Sequence, residues 1–304
     1  MDLAIVGMGK IAQDQHLPAA ADSAFFSLAA IVDQRAVDAG VPVFGSIEDL
    51  VASGFRGAVA ICTPPAARFD IARVALEAGL HTLLEKPPGL ATSEVDQLAD
   101  LARRNAVTLF AAWHSREAAM VAPAKAYLAE RQVHDVAISW REDIRRWHPG
   151  QNWILDEGGF GVFDPGINAL SILTEIVGEP ITLLSAELEV PSNKQAPIGA
   201  TLGMATASGA AIDTVFDWRQ TGPQTWDIAV ETDNGSLLLS EGGNTLRLDG
   251  EVQMKAPDEE YPAMYRRFVD LVERRAIDVD TAPLRLVADA FLCGRHCPTA
   301  AFED

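Results

Sequence analysis

Leu3-Ala4-Ile5-Val6-Gly7-Met8-Gly9-Lys10-Ile11-Ala12 begins with four apolar residues, turns through two glycines and continues into a helical pattern. After a buried strand, Gly7 permits a tight turn, Gly9 lets the backbone approach a pyrophosphate, and Ala12 stands where close helix packing needs a small side chain. The helix that follows points its unpaired N–H groups and the positive end of its dipole at the phosphates. Gly-x-Gly-x-x-Ala alone is a weak signal, and a glycine-rich turn beside an unrelated surface aspartate is the competing reading. What strengthens the dinucleotide reading is Asp33, about 20 residues beyond the loop at the end of the next strand, where a carboxylate accepts both ribose hydroxyls. Its charge repels a 2′-phosphate, and Arg35 softens that repulsion. NAD is the expected cofactor, with some NADP use left open.

Outward from this loop, short β-branched runs alternate with helical patterns. Strands are expected at 3–6, 28–32, 41–44, 58–61, 82–84 and 108–111, with helices at 69–78, stopping at Gly79, and at Thr92–Asn105. That is a doubly wound parallel sheet. Beyond about residue 180 the pattern changes to consecutive strands of period two, such as Trp226-Asp227-Ile228-Ala229-Val230 and Leu237-Leu238-Leu239. Asp233-Asn234-Gly235 reads as a hairpin turn of type I′. The expected architecture is α/β, with an N-terminal Rossmann domain over 1–113 and a C-terminal α/β domain over 114–304 that carries an open, mostly antiparallel sheet.

Composition sets the outer limits. A chain of 304 residues exceeds what one hydrophobic core usually supports. A formal net charge of −19, from 24 basic and 43 acidic residues, repels a phosphate backbone, so nucleic acid is not an expected partner. No leader-like pattern or bilayer-length apolar stretch is visible, and a cytoplasmic protein away from membranes is the expectation. Three cysteines cannot form a disulfide framework. Cys293-Gly294-Arg295-His296-Cys297 places potential metal ligands in one expected helical stretch with no further ligands clustered nearby, so no metal is expected.

Two further motifs, Cys62-Thr63-Pro64-Pro65 and Glu85-Lys86-Pro87-Pro88-Gly89, fall at C-terminal ends of expected strands, the edge where open α/β sheets bind ligands. A lysine after a strand is by itself usually just solvated. Combined with the N-terminal loop, Glu-Lys-Pro resembles the glucose-fructose oxidoreductase and inositol dehydrogenase family (Gfo/Idh/MocA), whose members pair a Rossmann domain with an open α/β domain. The chain is similar in more detail to the branch of D-galactose and L-arabinose 1-dehydrogenases. That likeness runs through residues 9–18 (GKIAQDQHLP), 113–116 (WHSR), 142–151 (EDIRRWHPGQ), 158–168 (GGFGVFDPGIN) and 216–220 (FDWRQ).

The resemblance implies oxidation of an aldose at C1 to its lactone, D-galactose first and L-arabinose or D-fucose as related substrates. Such a reaction needs a base near neutral pKa and groups that stabilise a developing alkoxide. It implies Asp164 as general base, Lys86 as stabiliser of the alkoxide, and Asn168 holding substrate hydroxyls; the reverse assignment of the first two stays open, because a coupled pair shares its titration. Read from the residues alone, Asp164-Pro165 is equally a helix cap and first turn. Many family members carry a histidine where Asn168 stands, whereas the aldose branch is similar to this chain. Relatives that use NADP tend to carry Ser-Arg where Asp33-Gln34 occurs here. Cofactor contacts are expected from Gly7, Gly9, Lys10, Ile11, Asp33, Thr63, Pro64, Glu85 and Lys86, and substrate contacts from His114, Glu142, Trp147 and His148. Core packing is the alternative for Trp147, and a satisfied strand-end histidine for His114. A homodimer is expected, as in relatives. A non-catalytic sensor of nicotinamide and sugar with the same fold is the second reading, and a polyol dehydrogenase the third.

Overall fold

The computed structural model describes residues 1–35 and 40–303. The chain divides into two compact units, Met1–His114 with Glu259–Thr281, and Ser115–Asp258 with Ala282–Asp304. In chain order the strands are β1 (Asp2–Val6), β2 (Ser27–Val32), β3 (Val43–Phe44), β4 (Ala58–Ile61), β5 (His81–Glu85), β6 (Leu109–Ala112), β7 (Val133–Arg141) and β8 (Ile181–Pro191). They continue as β9 (Gly199–Thr206), β10 (Ala211–Asp217), β11 (Thr225–Thr232), β12 (Gly235–Ser240), β13 (Thr245–Leu248), β14 (Glu251–Lys255), β15 (Ile277–Asp278) and β16 (Arg295–Thr299).

In the first unit a parallel sheet runs in the order β15-β6-β5-β4-β1-β2-β3. Strands β4 and β6 are buried along their whole length, as a sheet covered on both faces requires. Alternate residues feed two cores. Ala4, Val6, Val59, Ile61 and Leu84 meet the helices Pro65–Glu77 and Thr92–Asn105, while Leu3, Ile5, Ala60, Leu83 and Phe110 face the other way. The expected helix at 69–78 starts earlier, at Pro65, because a proline in the first turn has its φ preset for the helix and lacks only an N–H that would be unpaired anyway.

One correction concerns the expected boundary at 113. The helix Glu260–Arg274 and strand β15 pack within the first unit, far along the chain from its other members. The helical run after the glycine loop is short, a wide π turn over Ala12–His16 leading into Leu17–Ala21. It leaves the second face of the sheet partly bare. Tyr261, Met264, Tyr265, Phe268 and Val272, at helical spacing, fill it, with Phe268 stacked near Phe26 and Phe110 at 5.3 and 6.1 Å.

The second unit holds a sheet in the order β14-β13-β12-β11-β7-β10-β9-β8-β16. All its pairings are antiparallel except β7 with β10 and β8 with β16. The β11–β12 hairpin forms as expected but not with a type I′ turn, since of Asp233, Asn234 and Gly235 only Gly235 has a positive φ, 99°. The threonine hydroxyl of Thr232 takes over part of the turn by donating to Gly235 O and accepting from Asn234 N. Cys293 and Cys297 do not share a helix, because Cys293 ends the helix Ala282–Cys293 and Cys297 lies on β16. Among the described residues no three histidine, cysteine or acidic side chains cluster as metal ligands, and no helix is long and apolar enough to cross a membrane.

Candidate active site

The glycine turn of the first unit has the shape its sequence demands. Gly7 adopts φ 90°, its N–H donates to Val32 O at 2.8 Å, and a Cβ there would lie 2.9 Å from the Thr63 methyl. No other residue fits. At Gly9, by contrast, an added Cβ would meet nothing within 4 Å, which leaves the backbone open to a phosphate. Thr63 Oγ1, across the turn, is buried with no hydrogen-bond partner. A buried hydroxyl left orphaned beside an open glycine fits a ligand that supplies the missing bond, so these residues suit a dinucleotide.

Asp33 closes the turn from the end of β2. Oδ2 accepts from Met8 N at 2.7 Å and from Arg35 Nη2, while Oδ1 accepts from Arg35 N and Nε. These hydrogen bonds, that of the Arg35 guanidinium foremost, hold Asp33 at about 2. It is ionised at any physiological pH. Arg35 reaches further to Met8 O at 2.9 Å while staying exposed, so a cation borders the Asp33 carboxylate. Lys10 pairs with Asp14 at the surface and Ile11 is half-buried. Pro64 caps the helix Pro65–Glu77 from an exposed position.

Glu85, at the end of β5, is fully enclosed. Its carboxylate accepts from Lys86 N at 2.7 Å, from Tyr261 OH at 2.7 Å and from His16 Nε2 at 3.1 Å, while His16 Nδ1 reaches Tyr265 OH at 3.0 Å. Burial would raise the Glu85 carboxyl, but the hydrogen bond and charge of His16, helped by His114 and Arg68, hold it well below the usual range. Burial likewise disfavours a charged His16; Cys62, Tyr265 and Glu85 around it more than offset that, and its pKa stands well above the ordinary value. With its carboxylate directed at protein donors, Glu85 supports the Lys86 backbone. His114 belongs to the same unit, bonded to Glu260 at 2.5 Å and stacked on Tyr261 at 5.0 Å.

In the second unit the helix Phe163–Val177 approaches the sheet so closely that a Cβ on Gly166 would sit 2.9 Å from Phe216. The residues from Phe163 to Leu173 are buried except Asp164 and Asn168, which are half-buried and four apart, hence on one face. Val162 takes the cap position, so Asp164 is not the cap residue and stands in the first turn. Asp164 lies 3.8 Å from His148 Nε2, which is also 3.7 Å from Glu142. Glu142, just beyond β7, accepts from Trp218 Nε1 and Trp226 Nε1, each at 3.0 Å, and His148 leans on the Trp218 ring at 5.1 Å. His148 Nδ1 is buried without a partner. Trp147 sits edge-on to Trp226, donates to Gln224 and borders a cavity of about 310 Å³. Arg116 is tied to Ser171 O and Thr174 Oγ1, holding the same helix from another side.

The structure thus gathers Glu142, His148 and Asp164 in one unit and Gly7, Gly9, Asp33 and Thr63 in the other. Sequence reading missed Trp218 and Trp226 as carboxylate donors, and His16, Tyr261 and Arg68 as the frame around Glu85. Trp218 and His16 lay inside the quoted blocks, whereas Tyr261 and Arg68 carried no local signal.

A Rossmann unit with this turn, and an open sheet carrying a separate polar cluster, define a nicotinamide-dependent oxidoreductase. Residues 1–113 match the oxidoreductase family GFO/IDH/MocA, NAD-binding Rossmann fold. The chain belongs to this family, for it is also 41% identical over 303 residues, 99% of this chain and 98% of the other, to galactose 1-dehydrogenase of Pseudomonas fluorescens. A crystal structure of a D-galactose-1-dehydrogenase protein from Rhizobium etli superposes with a TM-score of 0.95 at 48% identity, covering 99% of this chain and 97% of that one. At 17% identity a 3-ketoreductase from Actinomadura kijaniata, solved with NADP and TDP-benzene, shares the fold with a TM-score of 0.85 over 98% and 99% of the two chains.

Proposed function

We propose that this protein oxidises D-galactose, and with it L-arabinose or D-fucose, at C1 to the lactone. The observation that carries the reading is the cluster of Glu142, His148 and Asp164, in which a carboxylate pinned by two indole N–H groups and a second, half-buried carboxylate flank the Nε2 of one imidazole and offer the directed acceptors and donors that a sugar's hydroxyls require. Its likeness to two galactose 1-dehydrogenases over nearly the whole chain supports the same substrate class.

Asp164 takes the proton of the anomeric hydroxyl, general-base help typically worth about 10²–10⁴ in rate. The Lys86 ammonium stabilises the alkoxide as it develops. Asn168 binds a neighbouring hydroxyl through its amide, Glu142 and His148 orient the others, and Trp147 and His114 add contact surface. When bound, NAD supplies the hydride acceptor. Gly7, Gly9, Lys10, Ile11, Thr63 and Pro64 hold it, and ionised Asp33 favours its ribose over a 2′-phosphorylated one, with Arg35 permitting some NADP use. Exposed apolar side chains on the second unit's sheet strands, Leu184, Val252 and Met254, favour a homodimer, and we place the protein in the cytoplasm.

The test is a panel of aldoses and polyols assayed with NAD and with NADP at 340 nm. D-Galactose should give the highest kcat/KM, and Asp164→Ala and Lys86→Ala should each lower kcat about 10²-fold or more with NAD affinity largely kept. Tight NAD binding without reduction by any sugar would replace this reading with a sensor.

A further inference from the structure

Buried side chains grip the peptide of Lys86 from both directions. Its N–H donates to one oxygen of Glu85, and the other oxygen accepts from Tyr261 OH and His16 Nε2. On the other side Arg68 Nη1 donates to the carbonyls of Glu85, at 2.5 Å, and of Pro87. His16 and Glu85 are 0% and 2% exposed. An ion pair at that depth adds little net stability, because hydrophobic residues of similar volume often do as well. What it does achieve is to hold one carboxylate in a single orientation, and that carboxylate aims the peptide from which Lys86 projects. His16 also ends the π turn of the helical run that leaves the glycine turn, so the cofactor-binding segment and the lysine-bearing strand share one buried bond network.

We propose that His16 and Tyr261 are positioning residues for Lys86, acting through Glu85. This rests on the reading that Lys86 serves aldose oxidation. Tyr261→Phe removes a single hydroxyl, and His16→Gln removes the cation while keeping a polar side chain. Both are made in the full chain and measured in two ways. One needs no substrate: the acetylation rate of Lys86 by a limiting acyl ester, read by peptide mass spectrometry against Lys125 and Lys255. The other is kcat for aldose oxidation, each variant alone and combined with Lys86→Ala.

The expected results are an acetylation rate of Lys86 altered about threefold or more relative to the two reference lysines, and kcat lowered about fivefold or more with the NAD Kd within about twofold. In the Lys86→Ala background the same substitutions should change the residual kcat less than about twofold, since their effect passes through a side chain already gone. Unaltered acetylation and kcat in folded variants would overturn the proposal, as would equal losses in both backgrounds, the mark of a purely structural role. Should His16→Gln fail to fold, Tyr261→Phe decides alone. If the wild-type protein oxidises no aldose, the substrate reading falls, while acetylation still decides whether these residues place Lys86.

Discussion

Each unit buries a glutamate at or just past the end of a strand, and the two are satisfied in opposite ways. Glu85 receives three protein donors, one of them the cationic His16. Glu142 receives two neutral indole N–H groups, one per oxygen, with His148 beside it at 3.7 Å. A carboxylate has about four acceptor positions. Three are used at Glu85, two of them by the buried side chains of His16 and Tyr261. At Glu142 the two indole N–H groups use two, and His148 Nε2 stands 3.7 Å away. On the function proposed above, the first glutamate is framework and the second receives the sugar.

Glu85→Gln should give the largest effect on stability, about 3–5 kcal/mol by urea unfolding, because it strands the buried charge of His16. A loss of under 1 kcal/mol would erase the distinction. The same pair sets a pH window. His16 is raised, so its contribution is complete below its unfolded value of 6.5 and is lost as pH climbs through the folded one. Glu85 is lowered, so its contribution is complete above its unfolded value of 4.5 and is lost on acidification through the folded one. The stability gap between wild type and His16→Gln should therefore be widest between those two values and narrow towards alkaline pH. Glu142→Gln should cost less, about 1–3 kcal/mol, from one indole N–H left facing an amide NH2. Its main effect falls on function, as a higher KM for the aldose with NAD affinity unchanged. An unchanged KM would make Glu142 framework as well. Smallest is Asp33→Ala, which should narrow the NAD over NADP preference about tenfold, some 1.4 kcal/mol, leaving the aldose KM alone; an unaltered ratio would remove Asp33 as the ribose ligand.

The glycine turn was legible because its requirements are local: a positive φ at Gly7, open space at Gly9 and an acid at the end of the next strand. Strands β1, β4, β5 and β6 were legible for the same reason, since burial on both faces leaves continuous apolar runs. Glu142, His148 and Asp164 were nominated by resemblance, and nothing in their spacing foretold that they would meet. The helix Glu260–Arg274 was misassigned to the second half because amphipathic periodicity says that a face will be buried and not against which sheet.

The chain's sequence by itself determined the parallel unit, the dinucleotide turn and the change to antiparallel strands, because each follows from residue types within a short span. Tertiary structure alone decided which donors each buried carboxylate receives. Tyr261 lies 176 positions from Glu85, and Trp226 lies 84 from Glu142. Contacts across such separations are set by how whole elements pack.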